Sequence, residues 1–133
     1  MKYCSDTWFL IKLYEKEEKA IEIIKEIRFG KGRLIIPAVV YTETGRKLMK
    51  RGVSLKDINA FFENLFNSNK IEFIVIDKSI SDEVIKLCNS FNIAIMDSFI
   101  AASYKLFDCD FLLSGDSDYD LLVKHKYLKR KSW

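Results

Sequence analysis

Asn92–Asp120, NIAIMDSFIAASYKLFDCDFLLSGDSDYD, decides how this chain is read. It divides into a helix opening on Asp97, a short apolar strand at Phe111–Ser114 (FLLS), and an acidic turn with Asp116 and Asp118. Both ends of the helix–strand unit present carboxylates. Such a unit is one step of an alternating array, so the fold depends on whether the rest of the chain alternates too.

The alternation continues outward. Lys2–Asp6 reads as a short, partly apolar opening strand. Arg33–Pro37 (RLIIP) carries adjacent apolar residues, as expected of a buried parallel strand, and Ile71–Ile76 (IEFIVI) reads as the next strand. Helices are predicted between them. One covers Trp8–Tyr14, and a second runs to Arg28 with Ala20, Ile23, Ile24 and Ile27 at helical spacing, stopped by Gly30 and Gly32. Pro37 suits the entry of a helix from Ala38 to Lys50, which Gly52 closes. Ser54 and Asp57 form a start signal for a helix with Leu55, Ile58, Phe62 and Leu65 on one face. Asp77 caps another, with Ile80, Val84, Leu87 and Cys88 inward. A short helix follows Asp118, and the basic run Lys124–Trp133 reads as a mobile terminus. The pattern predicts an α/β domain with a mainly parallel sheet.

The totals agree with one compact domain spanning residues 1–133. Hydrophobic residues make up 49% of the chain, enough for a real core, and a net charge of +3 permits a polyanion without identifying one. Cys4, Cys88 and Cys109 show no metal-binding spacing and read as core thiols in a reducing setting. No apolar leader and no membrane-length run is visible, so the expected location is the cytoplasm.

In a parallel sheet the site lies outside the carboxyl ends of the strands. Asp6 ends the first strand. Glu43 lies a turn and a half into a helix that leaves a strand end. Asp97 opens its helix, and Asp116 follows the last strand, with Asp118 as an additional acid. These positions can share one edge of the sheet. Asp6 and Asp97 also suit helix caps, and Asp116 and Asp118 suit a turn, roles compatible with metal binding. Magnesium and manganese need hard oxygen ligands, and clustered carboxylates are costly without a cation. The only histidine, His125, is far away in the basic tail. Arg46, Lys47, Lys50 and Arg51 follow Glu43 and can hold phosphates, although a solvated helix end explains them as well.

Four segments, SDTWFLIKL, IIPAVVYTETGRKL, IAIMDSFIAASYKL and DFLLSGDSDYDLL, together resemble the PIN-domain family, and within it the small VapC-type toxins of toxin–antitoxin pairs. The resemblance implies about five parallel strands with helices on both faces. It also implies a Mg2+- or Mn2+-dependent endoribonuclease acting on RNA, a homodimer, and a cognate antitoxin that masks the cleft. Asp6, Glu43, Asp97 and Asp116 correspond to the family's four acidic metal-site positions, and Asp118 to a further acid often seen there. Asp6, Asp97 and Asp116 would hold the metal, and Glu43 would hold it or position the attacking water. Two residues depart from the pattern. Trp8 stands where a small polar residue is usual, and Gly115 where a polar or basic one is. Trp8 keeps open an alternative, a PIN-fold RNA-binding or interaction module without significant catalysis. A receiver-type signalling domain is disfavoured, because it needs paired acids after the first strand and only Asp6 is present.

Overall fold

The computed structural model describes all residues, 1–133. Five parallel strands form its sheet: β1 (Lys2–Ser5), β2 (Arg33–Pro37), β3 (Ile71–Ile74), β4 (Phe111–Leu113) and β5 (Arg130–Lys131), in the order β3-β2-β1-β4-β5. Seven α-helices connect them: α1 (Thr7–Tyr14), α2 (Glu18–Phe29), α3 (Ala38–Lys50), α4 (Leu55–Phe66), α5 (Lys78–Ser90), α6 (Ile95–Leu106) and α7 (Asp120–Lys124). A turn of 3₁₀ helix at Ser117–Tyr119 precedes α7.

The strand order explains where a cleft can form. From β1 the chain steps outward to β2 and β3, then returns to the other side of β1 as β4. Right-handed crossovers place the outgoing and returning helices on opposite faces of the sheet. The reversal lies between β1 and β4, and a crevice opens at their carboxyl ends. The register pairs Ser5 with Leu113. The ladder reaches one residue further, because the Asp6 amide donates to the Leu113 carbonyl at 3.3 Å.

The predicted apolar faces form one core of 32 buried residues, including Ile35, Ile36, Leu112 and Leu113 from the sheet. All four predicted residues of α2, Ala20, Ile23, Ile24 and Ile27, are buried. Gly52 closes α3 at φ +88°, a conformation that a side chain would strain. Ser54 accepts from the Asp57 amide at the start of α4, and Asp77 accepts from the Ile80 amide at the start of α5.

Five details differ from the sequence reading. Helix α6 begins at Ile95, not Asp97, because extended Ala94 is its cap and the Ser98 amide already bonds back to the Ala94 carbonyl. Asp97 is therefore inside the first turn. Strand β3 stops at Ile74, leaving Val75 exposed beyond the last pairing, Pro37 with Ile74. Leu55 is exposed at the open start of α4, where no element covers it. Cys88 is exposed on α5, one residue past the inward Leu87. The basic tail is anchored: β5 pairs with β4 through Leu112–Arg130 and Leu113–Lys131, and Leu128 is buried in the core. No helix is long and apolar enough to cross a membrane.

Candidate functional site

Asp6, Glu43, Asp97 and Asp116 line a single cleft of about 310 Å³ at the carboxyl edge of the sheet. Each comes from a different element. Asp6 follows β1, Glu43 is on α3, Asp97 is in the first turn of α6, and Asp116 follows β4. Helix α6 packs against β1 and β2 with a buried face that mixes the small Ser98, Ala101, Ala102 and Ser103 with Ile100 and Tyr104.

Asp6 is the most enclosed of the four, at 4% exposure. It occupies the cap position of α1, yet its carboxylate makes no capping bond to that helix. It turns across the sheet edge instead. Ser114 Oγ donates to Asp6 Oδ2 at 2.6 Å, and the Tyr119 hydroxyl lies 3.3 Å from Asp6 Oδ1. The same hydroxyl lies 3.3 Å from Asp97 Oδ1, so Tyr119 stands between two of the acids. Asp116 organises its own turn: its carboxylate accepts from the Asp118 amide at 2.9 Å, and its amide donates to Ser114 Oγ at 3.1 Å. Glu43 faces Lys47 one turn along α3, at 3.7 Å.

The electrostatics are those of crowded negative charge. Burial raises the Asp97 pKa to about 6, with further repulsion from Asp118, Asp6 and Asp116, while the Tyr119 hydroxyl opposes the shift. Its place at a helix N-terminus favours the ionised form, but burial and three neighbouring acids prevail. Burial also raises Asp6, against the Ser114 and Tyr119 hydroxyls and the adjacent Thr7 amide, and Asp116 adds to the rise. Burial, then Asp6 and Asp97, push the Tyr119 hydroxyl far above its ordinary range. Tyr119 therefore keeps its proton and serves as a donor.

The donor set fits a hard divalent cation in chemistry: four carboxylates, no sulfur or imidazole, and an enclosure whose burial, with the neighbouring acids, raises Asp97 to about 6. Thr7, also in the cleft, has a buried hydroxyl without a partner. The carboxylates do not yet converge, and no three acidic, histidine or cysteine side chains are arranged to hold an ion as they stand. Asp6 is turned to Ser114 and Tyr119, Asp116 to the Asp118 amide, and Glu43 to Lys47.

Among the predicted basic residues, Lys47 lines the acidic cleft, whereas Arg46 and Lys50 line a neighbouring groove between α3 and α4. Arg51, at the end of the same helix, lines the acidic cleft too, as does Lys12, which the sequence did not single out. Lys12 pairs with Glu17 at 3.1 Å and Arg51 with Glu15 at 3.3 Å. Pairs this exposed are weak and can be exchanged for phosphate. Asp118 is exposed and outside the cleft lining, and acts on Asp97 through its charge. Ser114, Tyr119 and Arg130 also escaped the sequence reading. Arg130 donates to the Asp116 carbonyl at 2.7 Å and pairs with Asp120 at 2.8 Å.

The two departures from the family pattern form one contact. A Cβ on Gly115 would lie 2.6 Å from Trp8 Cε2 and Cζ2, so the indole occupies space that any other residue at 115 would fill.

Residues 3–124 match the family model for the PIN domain. No curated protein sequence is significantly similar to the chain. Solved structures similar to it include VapBC2 from Rickettsia felis bound to a promoter DNA fragment, at TM-score 0.77 and 13% identity over 100% of this chain and 99% of that one. VapBC-1 from nontypeable Haemophilus influenzae gives TM-score 0.73 and 18% identity over 100% and 98%. VapC20 from Mycobacterium tuberculosis, described as a sarcin–ricin loop cleaving toxin, gives 0.68 and 13% over 90% and 93%. At these identities the likeness is one of fold.

Proposed function

The chain belongs to the PIN-domain family, and on that premise we propose that it is a metal-dependent endoribonuclease, the toxin of a VapBC-type toxin–antitoxin pair. The observation that carries the reading is the meeting of Asp6, Glu43, Asp97 and Asp116, from four separate elements, in one cleft with the Asp97 carboxyl raised to about 6. Such a cluster is costly in a fold unless a cation neutralises it.

Asp6, Asp97 and Asp116 would hold Mg2+ or Mn2+, and Glu43 would hold it or orient the attacking water. A bound divalent ion supplies a water of lowered pKa and stabilises charge on a phosphoryl oxygen. The chain's own residues supply placement. Ser114 and Tyr119 fix the Asp6 carboxylate, and Tyr119 spaces it from Asp97. Lys12, Lys47 and Arg51 on the cleft wall bind the RNA phosphates flanking the scissile one. The structural relatives are toxin–antitoxin proteins. That supports a cognate antitoxin as partner, to which we add a homodimer whose cleft that antitoxin covers.

The interaction-module reading drew its support from Trp8. Gly115 seats that indole, and all four acids still line the cleft, which favours the enzyme. Asp97→Asn and Asp6→Asn are expected to abolish cleavage of a single-stranded RNA in Mn2+ while leaving the protein folded. Undiminished cleavage by both purified variants would reject the mechanism. Absence of any thermal stabilisation of the wild-type protein by Mn2+ would favour the module.

A further inference from the structure

We propose that Trp8, backed by Trp133, is the nucleobase-stacking wall of the acidic cleft and sets which RNA bases lie beside the cut. The inference rests on the ribonuclease reading above and adds a specificity-determining residue to it. Trp8 lines the same cleft as Asp6 and Asp116. It sits two residues after Asp6, in the first turn of α1, so its ring is carried by the element that fixes the most buried acid.

Three features make this ring a built surface. Gly115 leaves it room: a Cβ there would lie 2.6 Å from two indole carbons and 2.9 Å from Nε1. Trp133 packs on it at 4.9 Å between centroids, tilted by 59°, and meets Phe9 edge-on at 6.1 Å. Trp133 is itself held by an indole N–H bond to Glu17. Lys12 Nζ lies 5.5 Å from the centroid of the Trp8 ring and also lines the cleft.

An aromatic face, a cation and a row of carboxylates thus stand side by side. A single-stranded polynucleotide presents the matching sequence of base, phosphate and scissile phosphate. Base–aromatic stacking binds any base by its π face, and the shape of the wall then favours some bases over others. Core packing alone does not explain why a tryptophan in a cleft lining is matched by a glycine beside the fourth acid. Trp133 tilts across Trp8 and does not stack flat on it. Lys12 lies over the ring as well, so a base gains the indole face by displacing Trp133 or Lys12 from it.

Trp8 and Trp133 are the only tryptophans in the chain, so intrinsic tryptophan emission reports this wall alone. The test titrates wild-type protein in EDTA with a short mixed-sequence single-stranded RNA and with a matched oligomer carrying abasic sites. Cleavage is then measured in Mn2+ for wild type, Trp8→Leu and Trp8→Phe. The expected result is saturable quenching by the intact RNA and weaker quenching by the abasic one. For Trp8→Leu, KM should rise about tenfold, the scale of one lost base–aromatic stack, with kcat nearly unchanged. Trp8→Phe should restore most of the KM and shift the preferred bases. Equal KM and equal base preference in wild type and Trp8→Leu would overturn the stacking role and leave the ribonuclease reading intact. So would quenching that is the same for intact and abasic RNA. Failure of the wild-type protein to bind or cut RNA would instead remove the ribonuclease reading, and this inference with it. If Trp8→Leu does not fold, Gly115→Ala displaces the indole without removing it and is held to the same KM criterion.

Discussion

Arg130, on the last strand, donates to the main-chain carbonyl of Asp116 at 2.7 Å, and its second nitrogen pairs with Asp120. The fourth acid of the cleft is thus positioned by the segment that looked, from its composition, most dispensable. Replacing Arg130 with Ala should loosen the Gly115–Tyr119 turn. The expected stability loss is about 1.5–3 kcal/mol, the scale of a hydrogen bond with a charged partner. Hydrogen exchange should rise at the amides of Asp118 and Tyr119, and Mn2+ should bind more weakly. Unchanged exchange there would show that the turn holds itself.

Asp97 sets the pH dependence. Its carboxyl titrates near 3.8 ordinarily and near 6 in the fold, so the protonated form is the one the fold favours. Its stability contribution is fully present below about pH 3.8 and is lost as pH rises through about 6. Asp97→Asn, which stays neutral, should therefore melt higher than wild type at pH 7 without metal and should lose this slope. Cleavage and Mn2+ binding should both increase as pH rises through about 6, when the proton leaves the ligand. Melting curves from pH 4 to 8, with and without Mn2+, check the sign.

Removing the Tyr119 hydroxyl probes the spacing of the two acids. Its bond lowers the Asp97 pKa, so Tyr119→Phe should move the rise in metal binding to higher pH. The fold should lose about 1 kcal/mol or less, because the two 3.3 Å contacts are long. Isothermal titration with Mn2+ across pH 5–8 measures the shift.

Ser114→Ala should be the costlier change. The 2.6 Å bond to Asp6 is short and buried, and its loss leaves a carboxylate without its best donor. A decrease of about 1.5–3 kcal/mol is expected at neutral pH. The decrease should shrink in acid, where Asp6 is protonated. Denaturant melts at pH 4 and pH 7 would show whether the loss follows the charge.

The sequence showed most clearly what local patterns encode. Adjacent apolar residues marked RLIIP as a buried strand and IEFIVI as a strand, of which Ile71–Ile74 forms the half-exposed edge of the sheet, and Asp6, Glu43, Asp97 and Asp116 could be placed by counting from strand and helix ends. It was silent on the groups that hold those acids. Ser114 and Tyr119 reach Asp6 only because β1 pairs with β4, a contact between residues 108 positions apart. A faint signal existed for Tyr119, since an aromatic hydroxyl buried among acids needs a partner. The tail misled because two strand residues, Arg130 and Lys131, are too few and too basic to show a strand pattern. Tyr127 and Leu128, set between lysines, were the clue that the run returns to the core.

The parallel pairing of β1 with β4 has a consequence for how the protein is made. Asp6 finds its amide partner at Leu113 and its carboxylate partner at Ser114. A chain leaving the ribosome N-terminus first exposes Asp6 early and must extend a further 108 residues, to Ser114, before the pocket around it can close. An incomplete nascent chain therefore carries the first acid without the pocket. If the cleft cuts RNA, the machine that synthesises the protein is not exposed to an assembled blade until the segment carrying Ser114 and Tyr119 has emerged.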